Sequence, residues 1–153
     1  MALVDMIGNF PLLKDFTAKE KKMFGEMDHS ALAYNKGDVI IKEGDSFASL
    51  YLLIRGNVVV TKSGFDNPVA LLKEGTIFGE ISFLTKRPRQ SSVVAKDNVL
   101  VLKMDEKFLS KVTPDIRDKI KNYLIEILAN RLDAMNQALV KISHFARGST
   151  LGE

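Results

Sequence analysis

The period of the apolar positions changes twice along this chain. Phe10-Pro11-Leu12-Leu13-Lys14-Asp15-Phe16 is apolar with a proline, suited to a short helical segment. Thr17 with Glu20 three residues on is a capping-box pattern. It predicts a helix to about Met27 that turns Met23, Phe24 and Met27 toward the core. From Ala31 the period becomes two. Ala31–Asn35 and Val39–Lys42 flank the turn residues Lys36-Gly37-Asp38, and Gly44-Asp45-Ser46 makes the next turn. Leu50–Ile54 and Val58–Thr61 follow, joined around Gly56-Asn57, which predicts a tight hairpin. Ser63–Pro68 is a loop, Val69–Leu72 a strand, and Gly75 a further turn. Gln90–Ala95 and Val99–Lys103 read as the last strands. Short strands at such close spacing predict a closed or folded-over β structure.

Helical periodicity returns at Asp105–Lys111 and again at Thr113-Pro114, a cap followed by a proline at the first helical position. That last helix is expected to run to about Arg147, leaving Gly148–Glu153 as a frayed tail or the stump of a linker. Ile116, Ile120, Leu124 and Ile127 form a face expected to lie on the β structure. Ile125, Leu128, Leu132, Met135, Leu139 and Ile142 recur at spacings of 3, 4, 3, 4 and 3, a coiled-coil-like seam.

Composition narrows the function classes. A chain of 153 residues, 46% hydrophobic and 27% charged, fits one globular domain with a real core. We expect a single domain over 1–153, with a helical segment at 7–28, β structure at 31–103 and C-terminal helices at 105–147. There are no cysteines, so disulfides and thiolate metal sites are excluded. The opening residues lack a signal-peptide pattern, and no apolar run approaches membrane-spanning length. A cytoplasmic protein without membrane contact is expected. The net charge of +3 is explained by ordinary surface lysines rather than a nucleic-acid partner.

An enzyme is not expected. The two histidines, His29 and His144, both fall on helices outside the strands, so no histidine metal centre or histidine-activated serine is foreseen. Glu80 near Arg89 lacks a second carboxylate or a metal to activate water. No catalytic residue, metal or cofactor is assigned.

The concentrated chemistry lies at Phe78–Ala95. Gly79 permits backbone angles closed to other residues. Glu80-Ile81-Ser82-Phe83-Leu84 is suited to one short helical turn whose first N–H groups lack helical partners and serve as anion donors. Lys86-Arg87-Pro88-Arg89 sets three cations around a rigid proline, and the hydroxyls of Ser91 and Ser92 follow. Helix start, arginine fork and hydroxyls are what a phosphate needs. Glu80 would repel a bare phosphate; it suits a ligand with hydroxyls beside its phosphate, such as a ribose.

Gly79-Glu80, a short turn, then Pro88-Arg89-Gln90-Ser91-Ser92-Val93 resembles the phosphate-binding cassette of the cyclic nucleotide-binding domain family, the type found in the catabolite activator protein and protein kinase regulatory subunits. The resemblance covers about residues 10–145. It implies a mainly β fold with flanking helices: a jelly-roll-like β-barrel, an N-terminal helical segment and a long C-terminal helix. It implies that Glu80 binds the ribose 2′-hydroxyl and Arg89 the cyclic phosphate, with backbone N–H groups at Ser82 and Gln90 completing the cradle. It sets Val69 and Leu72 against the base and Met135 and Asn136 near it. The family usually carries a small residue where Gln90 stands, often a hydroxyl that favours guanine, so cyclic AMP is favoured over cyclic GMP. The implied function is a sensor that signals through its C-terminal helices to an unidentified downstream partner; the heptad seam of the last helix predicts a homodimer through it. The alternative is a ligand-independent dimerisation or interaction module on the same fold. No helix-turn-helix follows the last helix, so DNA reading by this chain is not expected.

Overall fold

The computed structural model describes residues 2–151, with side chains described through Gly148. The backbone divides between Arg117 and Asp118 into two compact units.

The first unit opens with helix α1 (Leu3–Ile7), which the sequence pattern did not announce, and a 3₁₀ turn at Pro11–Leu13. Leu3, Ile7, Leu12, Leu13 and Phe16 are buried. Helix α2 (Ala18–Gly25) starts at the capping box: the Thr17 hydroxyl accepts from the Glu20 N–H at 3.1 Å, and Glu20 Oε1 accepts from the Thr17 N–H at 2.9 Å. Phe24 meets Phe16 and Phe108 edge-on, each at 5.6 Å between ring centroids. These edge-to-face contacts draw α2 onto α4 (Glu106–Lys111), whose N-cap is Asp105.

Eight strands follow: β1 (Ala31–Tyr34), β2 (Val39–Ile41), β3 (Leu50–Arg55), β4 (Val58–Thr61), β5 (Ala70–Leu72), β6 (Ile77–Phe78), β7 (Ser92–Ala95) and β8 (Val99–Met104). They form two four-stranded antiparallel sheets, ordered β1-β8-β3-β6 and β2-β7-β4-β5. Their inner faces share one core that includes Ile41, Tyr51, Leu53, Val58, Phe78, Val93 and Val101. Tyr51 and Phe78 stack at 5.2 Å. Among the described residues no ladder joins one sheet to the other, so the hydrogen bonds do not draw a single closed barrel.

The turn at Gly56-Asn57 is a correction to the hairpin reading. β3 and β4 lie in different sheets, so this turn is a corner. Its N–H groups find acceptors outside the two strands. Gly56 N–H donates to Glu74 Oε1 at 3.1 Å, and Asn57 donates to Asp97 through its main chain at 2.8 Å and its side chain at 3.1 Å. Those bonds hold the Asp97 carboxyl below the usual aspartate range. Lys36-Gly37-Asp38 and Lys96-Asp97-Asn98 are corners too. Gly37 N–H donates to the Ala95 carbonyl at 2.8 Å, Lys36 N–H to Asn98 Oδ1 at 3.1 Å, and Lys96 N–H to the Asn57 carbonyl at 2.9 Å. Three sheet-switching turns thus bond to one another at one end of the sandwich.

Helix α5 (Pro114–Leu151) begins where Thr113 Oγ1 accepts from the Ile116 N–H at 3.3 Å. It passes the expected end at Arg147: with no proline to remove a donor, residues 148–151 continue the ladder instead of fraying. Gly152 and Glu153 lie outside the described residues. Ile116, Ile120 and Leu124 are buried and Ile127 is half-buried. Along the seam, Ile125, Leu132, Met135, Leu139 and Ile142 are exposed, and Leu128 is half-buried. Among the described residues no helix is long and apolar enough to cross a membrane.

Candidate functional site

The site is built between β6 and β7. Gly79 sits at φ +83°, a left-handed conformation that L side chains rarely adopt, and starts helix α3 (Glu80–Thr85). A Cβ there would lie 3.0 Å from both Arg89 Nη1 and the Ser49 carbonyl. The glycine is therefore needed twice, for its backbone angle and for the arginine's approach. Glu80 and Ser82 are buried on α3, while Ile81 points to solvent. The helix is closed by Lys86 at φ +60° and by Thr85 Oγ1, which donates to the Ile81 carbonyl at 2.7 Å.

Arg89 is the most constrained residue of the segment. Its N–H donates to the Asp45 carbonyl at 2.8 Å, and its carbonyl accepts from the Gly44 N–H at 2.8 Å. This pins its backbone to the turn after β2. The side chain is only 4% exposed. Nη1 donates to the Gly79 carbonyl at 2.9 Å and Nη2 to the Ser49 carbonyl at 2.5 Å. The Phe47 ring lies 5.7 Å from the guanidinium carbon. Nε is buried without a hydrogen-bond partner. Desolvation pulls the Arg89 pKa down, partly offset by Tyr51 and Asp45. Arginine nevertheless stays protonated in proteins, so a cation is held here by neutral carbonyls. Of the five guanidinium N–H donors, the two carbonyl bonds leave three uncommitted, including an orphan that costs free energy until an acceptor arrives. The arrangement is one that accepts an anion.

The other expected residues are distributed less evenly. Gln90 is exposed and Ser91 half-buried, and both precede β7, which begins at Ser92 rather than Gln90. The Ser92 hydroxyl accepts from the Glu43 N–H at 2.9 Å. Val69 is exposed just before β5, its N–H bonded to the Val60 carbonyl at 2.8 Å, whereas Leu72 packs against the core. Met135 and Asn136 are exposed on α5, in the second unit. Sequence reasoning missed the residues that hold Arg89, namely Gly44, Asp45, Phe47 and Ser49. They lie some forty positions away, and no local pattern marks them.

A family model described as the cyclic nucleotide-binding domain matches residues 31–113, more than half of the chain and all of the cassette. The chain belongs to this family. A cAMP-dependent protein kinase regulatory subunit from Pyricularia oryzae is 37% identical over 111 residues, 70% of this chain and 28% of that protein. The chain thus spans little more than a quarter of that curated relative. Among solved structures, "Crystal Structure of Thermus thermophilus Catabolite Activator Protein" superposes with a TM-score of 0.73 at 27% identity, covering 87% of this chain and 63% of that one. "Sp-2Cl-cAMPS bound to PKAR CBD2" gives 0.68 at 25% identity, covering 88% and 87%. The cyclic nucleotide-binding domain here therefore has regulatory relatives.

Proposed function

We propose that this cyclic nucleotide-binding domain binds a cyclic purine nucleotide, cyclic AMP in preference to cyclic GMP, as a regulatory module that signals through its C-terminal helices. The observation that carries the reading is Arg89: a buried cation with an orphan Nε, held by backbone carbonyls and an aromatic face. Its planar fork suits the two exocyclic oxygens of a cyclic phosphate, with the N–H groups of the α3 turn and of Gln90 beside it. The protein acts as a receptor in this reading, since no group in the cassette activates water. Cyclic AMP is favoured because Gln90 stands where a guanine-favouring hydroxyl often sits. Leu72 and Val69 on the sheet, and Met135 and Asn136 on α5, are proposed for the base. Isothermal titration of the purified protein with both nucleotides tests the reading. Saturable binding of cyclic AMP is expected, and cyclic GMP binding at least about tenfold tighter reverses the preference.

Glu80 is proposed to accept a hydrogen bond from the ribose 2′-hydroxyl. Its burial makes that bond count, since a charge-assisted hydrogen bond is worth about 1.5–3 kcal/mol. Glu80→Gln is expected to weaken binding about tenfold, by the usual conversion of energy to affinity. A 2′-deoxy ligand should erase most of the difference between variant and wild type. Equal penalties for the normal and deoxy ligands in both proteins would refute the assignment.

The exposed seam on α5 favours a homodimer through this helix, and as a second reading a dimerisation module that needs no ligand. Ile125, Met135 and Leu139, each 62% exposed, repeat with Leu132 at the heptad spacing that two parallel helices bury together. Light scattering is expected to give twice the chain mass, and Leu132→Glu with Leu139→Glu to give the monomer. A monomer at every concentration of wild type overturns the dimer. Unchanged hydrogen exchange across residues 114–147 on adding cyclic AMP overturns signalling through the helix.

A further inference from the structure

A second concave surface lies beside the cassette. A groove of about 540 Å³ is lined by Phe47, Ala48, Ser49, Lys86, Lys103 and the first residues of α4. A smaller groove of about 260 Å³ adjoins it, sharing Lys103, Asp105 and Lys107 and adding His29, Phe108 and Lys111.

Its charges are unevenly committed. Asp105 Oδ1 accepts from the Phe108 N–H at 2.8 Å, and Glu106 pairs with Lys86 at 3.3 Å. Glu106 is thus paired, whereas Asp105 keeps its charge, because a backbone N–H does not cancel it. Among the described residues Lys103, Lys107 and Lys111 have no ion-pair partner, so the free charge along the two grooves is positive. An aromatic ring sits at one end: Phe47 is 49% exposed, with the Lys103 ammonium 5.7 Å from its centroid. The wall behind it is tied to the cassette. The Ser49 carbonyl is held by Arg89 Nη2, and the Phe47 ring lies against the same guanidinium. A preformed wall lowers the ordering cost of an incoming chain.

We infer that these joined grooves dock an acidic peptide segment of a protein partner, with an apolar side chain against Phe47 and carboxylates toward Lys103, Lys107 and Lys111. Charge complementarity selects the partner: uncommitted cations around an exposed ring attract carboxylates flanking an apolar anchor. A lipid surface fits less well, because the surface is concave and offers one exposed ring rather than an apolar face.

Fluorescence anisotropy with a fluorescein-labelled Glu-Glu-Leu-Phe-Glu-Glu peptide, without nucleotide and again with saturating cyclic AMP, tests the inference: binding that cyclic AMP leaves unchanged is expected, and binding that it abolishes belongs to the phosphate site and overturns the inference. Saturable binding is expected below about 1 mM, the weak end of specific recognition. Lys103→Glu with Lys107→Glu is expected to lower the affinity about tenfold or more and to allow binding of the corresponding Lys-Lys-Leu-Phe-Lys-Lys peptide. Phe47→Ser is expected to lower it about fivefold through loss of the apolar anchor. These positions are on the surface, and unchanged thermal melts confirm intact folds. No saturable binding overturns the inference, as does binding that neither variant alters. Equal binding to the basic peptide in wild type, or binding only to vesicles of anionic phospholipid, also overturns it.

Discussion

Arg89→Ala is expected to lower the affinity for cyclic AMP and cyclic GMP together by about 10²–10³-fold or more. The figure follows from leaving an anion in a desolvated site without its cation, which costs about 3–5 kcal/mol, where about 1.4 kcal/mol is tenfold in affinity. The structure adds a second effect. Arg89 bridges the carbonyls of Gly79 and Ser49, so alanine also leaves two acceptors without their donor. Lost bonds of this kind cost about 1–3 kcal/mol each when the group stays buried, offset in part by removing a desolvated charge. Arg89→Lys separates the effects. It keeps the charge and loses the fork, so its fold should hold while its affinity falls. Arg87, exposed across the proline, is the comparison, and Arg87→Ala should bind as wild type does. Calorimetry beside thermal melts reads both quantities. Wild-type binding by a folded Arg89→Ala protein would end the nucleotide reading.

The largest expected loss of stability belongs to Gly56→Ala. At φ +88° an alanine is strained, and its Cβ would lie 2.5 Å from the Asn98 carbonyl oxygen and 2.8 Å from Asp97 Oδ1. The first obstacle is backbone and cannot swing away. Strain of about 1–3 kcal/mol and overpacking of about 1–3 kcal/mol combine to about 2–6 kcal/mol. For a chain of this size that lowers Tm by on the order of 10 °C. Gly64→Ala isolates the strain alone: its φ is +87°, with nothing within 4 Å of the added Cβ. Gly64→Ala should melt well above Gly56→Ala. If the two variants melt together, the close approach at the corner is not what the glycine serves.

Much of the local structure was legible because local chemistry dictates it. Thr17 and Glu20 marked the start of α2, Thr113-Pro114 the start of α5, and Gly79 the backbone turn into α3. The cassette was legible for the same reason: its glutamate, proline and arginine lie close in sequence. What stayed hidden depends on distant partners. Gly56-Asn57 has the composition of a hairpin, but the carboxylates of Asp97 and Glu74 take its donors and turn it into a corner. Leu3 and Ile7 gave too short a pattern to announce α1, whose burial comes from packing. The carbonyls that hold Arg89 carry no side-chain signature, since any residue at position 49 supplies one.

The sheet orders have a consequence for how the chain reaches its native state. Strand β1 finds its partner only in β8, where Ala31 lies opposite Leu102, and β2 finds its partner only in β7, where Val39 lies opposite Val94. The early strands have no neighbour of their own to pair with. β2 must wait for the chain through Ala95 and β1 for the chain through Met104. Such non-local pairing closes large loops before contacts reward it, and it belongs to domains that fold in milliseconds to seconds rather than microseconds. On the ribosome, at about 5–20 residues per second, β1 and β2 remain unpaired edges for several seconds. During that interval both edges of the apolar strand Val39–Ile41 are open to other chains, whereas in the finished sandwich β7 covers one of them and β2 stays the outer strand of its sheet.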